Sequence, residues 1–212
     1  MSNVALACFA ILTIVQLYAC AKEKQTLRRY TKPFLMPLLF LWYALSAPEP
    51  ATVVALALWC GCAGDFFLLH DEKRKYLFAG IGCFAAGHVL YLFFLISRIQ
   101  WPAWWVTALL ALGYAAGLVF TCLRIRTHTK DMLFFGSAGY ALLLCVMSAC
   151  AALYALSGGG ILPWIGSLLF LGSDTILSNE ILVKRTRYGT LAVMSTYIAA
   201  QFLLILGFSG HP

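Results

Sequence analysis

Apolar residues in this chain come in long blocks broken by short polar clusters. The blocks cover roughly residues 3 to 21, 33 to 47, 51 to 70, 76 to 97, 101 to 123, 132 to 156, 161 to 182 and 190 to 208. The breaks, among them "AKEKQTLRRYTK", "APEP", "HDEKRK", "SGGG" and "VKRTRYG", combine charge with Pro or Gly, as expected where a chain turns at a membrane surface. A helix needs about 20 apolar residues to cross a bilayer core. The pattern therefore predicts an all-α polytopic membrane protein, a bundle of eight transmembrane helices forming one integral-membrane domain over 1–212. The second block, "PFLMPLLFLWYALSA", is short and carries Pro33 and Pro37 early. Proline suits the first turn of a helix, so that span is predicted to start there, with a tilted or partly re-entrant helix as the alternative.

Composition agrees with this reading: 62% of the 212 residues are hydrophobic and 11% charged, with a mean hydropathy of +0.87, unlike a soluble domain. Charge adds direction. All of the 15 basic residues except Arg98 fall in alternate breaks, the first, third, fifth and seventh. Cytoplasmic loops are enriched in Lys and Arg, so both termini are expected on the non-cytoplasmic side. The net charge of +7 then reflects orientation and attraction to anionic headgroups, and no nucleic-acid partner is expected. The first block lacks a basic leader, and its positive cluster follows it, which favours a retained helix over a signal peptide. The predicted location is a bacterial inner (plasma) membrane. The eight cysteines are scattered through apolar blocks, where Cys acts as a small hydrophobe, and no disulfide, metal site or cofactor is assigned.

Acidic residues carry more information. Glu23, Glu49, Asp71, Glu72 and Asp131 fall in breaks, and Glu180 lies near enough to a span end to reach headgroups. Asp65 in "CAGDFFLL" and Asp174 in "LFLGSDTILSN" lie inside apolar blocks, roughly 8 to 12 Å from the cytoplasmic boundary at 1.5 Å per residue. A charge in a bilayer core costs about 2.5 to 3.5 kcal/mol on insertion scales, so such residues usually face the bundle interior and mark function. The two aspartates sit at matching depth on parallel spans four apart, as in a possible 4+4 repeat. Other polar groups expected near this layer are Lys32 beside Pro33, its ammonium either snorkelling or turned inward to a carboxylate, His88 in the fourth span, Tyr140 in the sixth, and Tyr197 and Gln201 in the eighth.

Together "TKP", "GDFFLL", "FAAGHVLY", "LFLGSDTILSN" and "TYIAAQFLLILG" resemble the signature segments of the YhhN family of membrane lysoplasmalogenases. The resemblance spans nearly the whole chain. It implies an eight-helix bundle that takes a lysophospholipid from the membrane and hydrolyses the vinyl ether bond of lysoplasmalogens, releasing a fatty aldehyde and glycerophospho-ethanolamine or -choline. By motif it implies Asp65 and Asp174 as catalytic carboxylates, with Lys32, His88, Asn179, Tyr197, Gln201 and Tyr140 in support. "SNEIL" departs from the family, which more often has a basic residue and a phenylalanine after the asparagine.

The chemistry suits two carboxylates. Vinyl ethers hydrolyse by protonation of the β-carbon, addition of water to the resulting oxocarbenium ion, and collapse of the hemiacetal. As in a glycosidase, one carboxyl donates a proton while the other stays ionised and activates water; Asp174 is expected as the acid and Asp65 as the base. The basic loops, including Lys32, are expected to hold the phosphate. The rival reading is a proton-coupled small-molecule or lipid transporter, which also uses intramembrane carboxylates. A metal hydrolase built on His88 is disfavoured, because one intramembrane histidine ligates zinc poorly.

Overall fold

The computed structural model describes residues 1–70, 74–127 and 132–210. Lys73 and Lys130, with the loop acids Asp71, Glu72 and Asp131, lie outside the described residues. All regular structure within them is helical: α1 (Ser2–Ala21), α2 (Gln25–Ser46), α3 (Thr52–Phe67), α4 (Arg74–Ile96), α5 (Trp104–Arg126), α6 (Met132–Tyr154), α7 (Leu162–Leu182) and α8 (Gly189–Ser209). A 3-10 turn extends α3 to His70, and a wider turn extends α6 to Gly159. In a chain this apolar, helices satisfy each backbone polar group within one segment, the arrangement a bilayer demands. Among the described residues five helices, α1, α4, α5, α6 and α8, are long and apolar enough to cross a membrane. The protein is thus a multi-pass membrane protein.

The chain divides into two compact units, Met1–Phe94 with the segment from Phe208 onward, and Leu95–Gly207. In the first, α1 packs on α2 and α2 on α3, around a core that includes Leu35, Leu39, Tyr43, Val54 and Leu58. Tyr43 Oη accepts a hydrogen bond from Ala51 N at 2.9 Å, fixing the start of α3. Helices α3 and α4 approach closely at Gly64, where a Cβ would stand 2.7 Å from the Phe84 ring. In the second unit, α6 packs on α5 and on α7. Helix α7 meets α8 at Gly166, where a Cβ would stand 2.8 Å from Ala200 O and 2.9 Å from Leu204 N.

One sequence expectation is corrected here. Helix α2 starts at Gln25, eight residues before Pro33, and both Pro33 and Pro37 lie inside it. The segment 25–32 is too polar to register as apolar, yet its residues, except for Thr26 and Thr31, are fair to good helix formers. Pro37 lacks the N–H that would bond Pro33 O, and that carbonyl instead accepts from the Cys62 thiol of α3 at 3.4 Å. The interior proline so exchanges a bond within α2 for one between helices.

Candidate active site

The start of α2 places Lys32 well inside the helix, about 10 Å from its first residue along the axis. There it is buried among packed residues of α2 and α3. Its Nζ lies 3.1 Å from Asp65 Oδ1. Asp65 is itself only 1% exposed, a depth at which a charge is tolerated only with a partner. The adjacent Gly64 admits Phe84 over the backbone, closing α4 over this part of α3. On the α1 side of α2, the Thr31 hydroxyl donates to the buried Gln16 side-chain oxygen, with Leu27 O 2.8 Å away sharing the same proton. His88 is buried on α4, its ring 6.3 Å from that of Tyr91.

In the second unit Tyr140 of α6 donates its hydroxyl proton to Asp174 Oδ2 of α7 at 2.7 Å. Both are half-buried. Phe170, one turn before Asp174 on α7, packs edge-on against the Tyr197 ring of α8 at 5.5 Å. Gln201 is buried one turn beyond Tyr197. Asn179 stands near the end of α7, where its carbonyl accepts from Val183 N and Lys184 N, each at 2.9 Å. The structure so pairs Lys32 with Asp65 and Tyr140 with Asp174; Tyr197 reaches the same stretch of α7 through Phe170.

Glu180, read from sequence as able to reach the headgroups, is engaged in the turn that follows α7. Its carboxylate accepts from Thr186 N at 3.0 and 3.1 Å and from the Thr186 hydroxyl at 2.5 Å. It also abuts Gly189, where a Cβ would collide with it. Gly189 is the first residue of α8, and a carboxylate there complements the positive end of the helix. The departure at "SNEIL" is thereby accounted for as an α7–α8 clamp.

A second polar feature escaped the sequence reading. Trp164 Nε1 donates to Tyr114 Oη at 3.0 Å, Tyr114 pairs with Ser148 Oγ at 2.7 Å, Ser148 with Ser167 at 2.8 Å, and Ser167 donates to Trp164 O at 2.7 Å. Each hydroxyl has one proton, so Ser148 donates to Ser167 and Tyr114 to Ser148. This closed ring joins α5, α6 and α7. Hydroxyls in apolar helices are common and cheap, so only their mutual placement made these informative.

Comparison with known proteins adds the lineage. The description "YhhN family" matches residues 27–208, a stretch that includes Lys32, Asp65, Tyr140 and Asp174. The chain belongs to the YhhN family. Similar relatives bear the name lysoplasmalogenase TMEM86B: the Rattus norvegicus protein is 31% identical over 182 residues, covering 85% of this chain and 72% of its own length. The Mus musculus protein is 30% identical over the same span, with 85% and 74% covered. The Homo sapiens protein is 30% identical over 174 residues, with 82% and 70% covered. No solved structure matches this YhhN protein.

Proposed function

We propose that this YhhN protein is a membrane hydrolase of lysoplasmalogens, cleaving the vinyl ether bond to release a fatty aldehyde and a glycerophospho-ethanolamine or -choline. The observation that carries the reading is the buried Lys32–Asp65 ion pair, in a chain whose relatives are named lysoplasmalogenase. A carboxylate paired with an ammonium is ionised, and that is the state required of the group that draws a proton from water. In this reading Asp174, oriented by the Tyr140 hydroxyl, is the acid. Its proton goes to the β-carbon of the vinyl ether, leaving an oxocarbenium ion at the α-carbon. Water adds there while Asp65 takes its proton. The hemiacetal then expels the glycerol oxygen, which leaves with the hemiacetal hydroxyl proton as the aldehyde carbonyl forms, and exchange with solvent returns Asp65 to its ionised and Asp174 to its protonated state. The sum is one water consumed for one C–O bond cleaved.

The same reading has all eight helices crossing a bacterial plasma membrane, with both termini on the non-cytoplasmic face. A lysolipid anchored by one chain holds its ether linkage just beneath the headgroup, the depth inferred for the carboxylates. Products formed by purified protein in detergent from lysolipids with vinyl ether, alkyl ether and ester linkages, identified by mass spectrometry, test it. Aldehyde from the vinyl ether alone is expected; turnover of the ester alone, or transport that requires a sealed vesicle with no turnover in detergent, refutes it. Asp65→Asn and Asp174→Asn are each expected to lower turnover at least about 100-fold, the usual scale of acid–base catalysis. Full turnover by both variants would remove the carboxylates from the mechanism.

A further inference from the structure

Of the two roles expected of Lys32, turning inward to a carboxylate and holding the phosphate, its ammonium takes the first, committed to Asp65. The cation stripe of α2 does not end there. Arg28 precedes Lys32 by four residues, so the two share a side of the helix, offset by about 6 Å along its axis. Arg28 is half-buried, and its Nη1 donates to Gln25 Oε1 at 3.3 Å. Its Nε is closed off from solvent and meets no hydrogen-bond partner among the described residues. The Cys20 thiol of α1, hydrogen-bonded to the Arg28 side chain, supplies no counter-charge, and no carboxylate pairs with Arg28 among the described residues. A guanidinium presents five donors in a planar fork that matches phosphate oxygens, and among the described residues that fork meets no anion.

Resting on the hydrolase reading above, we propose that Arg28 is the phosphate-binding residue of the lipid site, so that the enzyme selects lysophospholipids over ether lipids without a phosphate. The spacing fits such a ligand. In a glycerophospholipid five bonds separate the sn-1 ether oxygen from phosphorus, about 6 Å when extended at ordinary covalent bond lengths. That equals the axial offset between Arg28 and the Lys32 that holds Asp65. Arg28 would thus fix the headgroup while the linkage lies at the level of the carboxylate.

The test uses the full-length purified protein, Arg28→Gln, Arg28→Lys, and two substrates with the same alkenyl chain: a lysoplasmenylethanolamine and the corresponding alkenylglycerol without phosphate. For the phosphorylated substrate Arg28→Gln is expected to raise KM about tenfold or more with kcat nearly unchanged, as loss of a charge-assisted bond predicts. The alkenylglycerol should be cleaved equally by both proteins, and Arg28→Lys should recover part of the loss. No change, or an equal loss on both substrates, overturns the proposal. A second readout is independent of turnover: equilibrium binding of an uncleaved alkyl-ether lysophosphatidylethanolamine. Binding lost in Arg28→Gln, with no vinyl ether turnover by the unaltered protein, sinks the hydrolase reading and leaves the phosphate site standing. Vinyl ether turnover with unchanged binding in Arg28→Gln does the reverse.

Discussion

At the residue scale, the two aspartates have different partners. Asp65 faces a cation, whereas Asp174 accepts from a neutral phenol. Under the mechanism proposed above, with Asp65 as the base and Asp174 as the acid, Tyr140 is a positioning residue with a measurable effect. Tyr140→Phe keeps the ring and removes one hydrogen bond, a change that costs about 1 to 3 kcal/mol when the partner is left buried. Turnover is expected to fall about 10- to 100-fold in kcat, with KM little changed and stability lowered by no more than that one hydrogen bond, about 1 to 3 kcal/mol. An equal change in kcat and KM, or a collapse in stability, would make Tyr140 a packing residue instead. The aspartates were legible in the sequence because a carboxylate in an apolar run contradicts its surroundings. Their partners were less so. Tyr140 and Asp174 are 34 residues apart, and only the register of α6 on α7 brings them together; Lys32 was visible as a cation able to turn inward to a carboxylate, but it was placed at a helix start, because the polar stretch before Pro33 hid the first turns of α2.

At the element scale, α6 and α7 are joined by two polar rungs, Tyr140–Asp174 and Ser148–Ser167. These are separated by eight residues on α6 and seven on α7, about 10 to 12 Å on either helix. Two rungs at matched spacing fix the register of an antiparallel pair, which apolar packing alone leaves free to slide. A neighbouring face of α7 is fixed sterically. At Gly166 a Cβ would press on the α8 backbone at Ala200 O and Leu204 N, whereas a Cβ at Gly172 would meet nothing within 4 Å. Gly166→Ala is accordingly expected to destabilise by about 1 to 3 kcal/mol, the ordinary cost of overpacking, and Gly172→Ala to be neutral or slightly stabilising through helix propensity. Thermal unfolding of both variants in the same detergent checks this, and equal melting temperatures would show that α8 yields. The positions of these helices could be anticipated from hydropathy. Which glycines carry contact could not, since the sequence does not say which side of α7 faces α8.

At the scale of the whole molecule, the helices that fall short of a simple membrane-span criterion are α2, α3 and α7. They are the ones that carry Lys32, Asp65 and Asp174. Helix α3 is short at 16 residues, α2 opens on a polar stretch, and α7 holds Ser173, Asp174, Thr175, Ser178, Asn179 and Glu180. Polar residues placed inside a bundle lower the hydropathy of their helix without forbidding it from crossing, because they are satisfied by neighbouring helices. The alternative, five crossings, has a distinct consequence: an odd number places the two termini on opposite faces, whereas eight places them on the same face. It also breaks the alternation that gathers all basic residues but Arg98 on one side, against the usual bias of cytoplasmic loops. Single cysteines introduced at Asn3, Arg98, Lys24, Arg185 and Gly210 in a background whose native cysteines are replaced can be probed with an impermeant thiol reagent in intact cells. Labelling is expected at Asn3, Arg98 and Gly210, with protection at Lys24 and Arg185 until the cells are opened. Labelling of only one of Asn3 and Gly210 would exclude the eight-span arrangement and, with it, a common depth for the two aspartates.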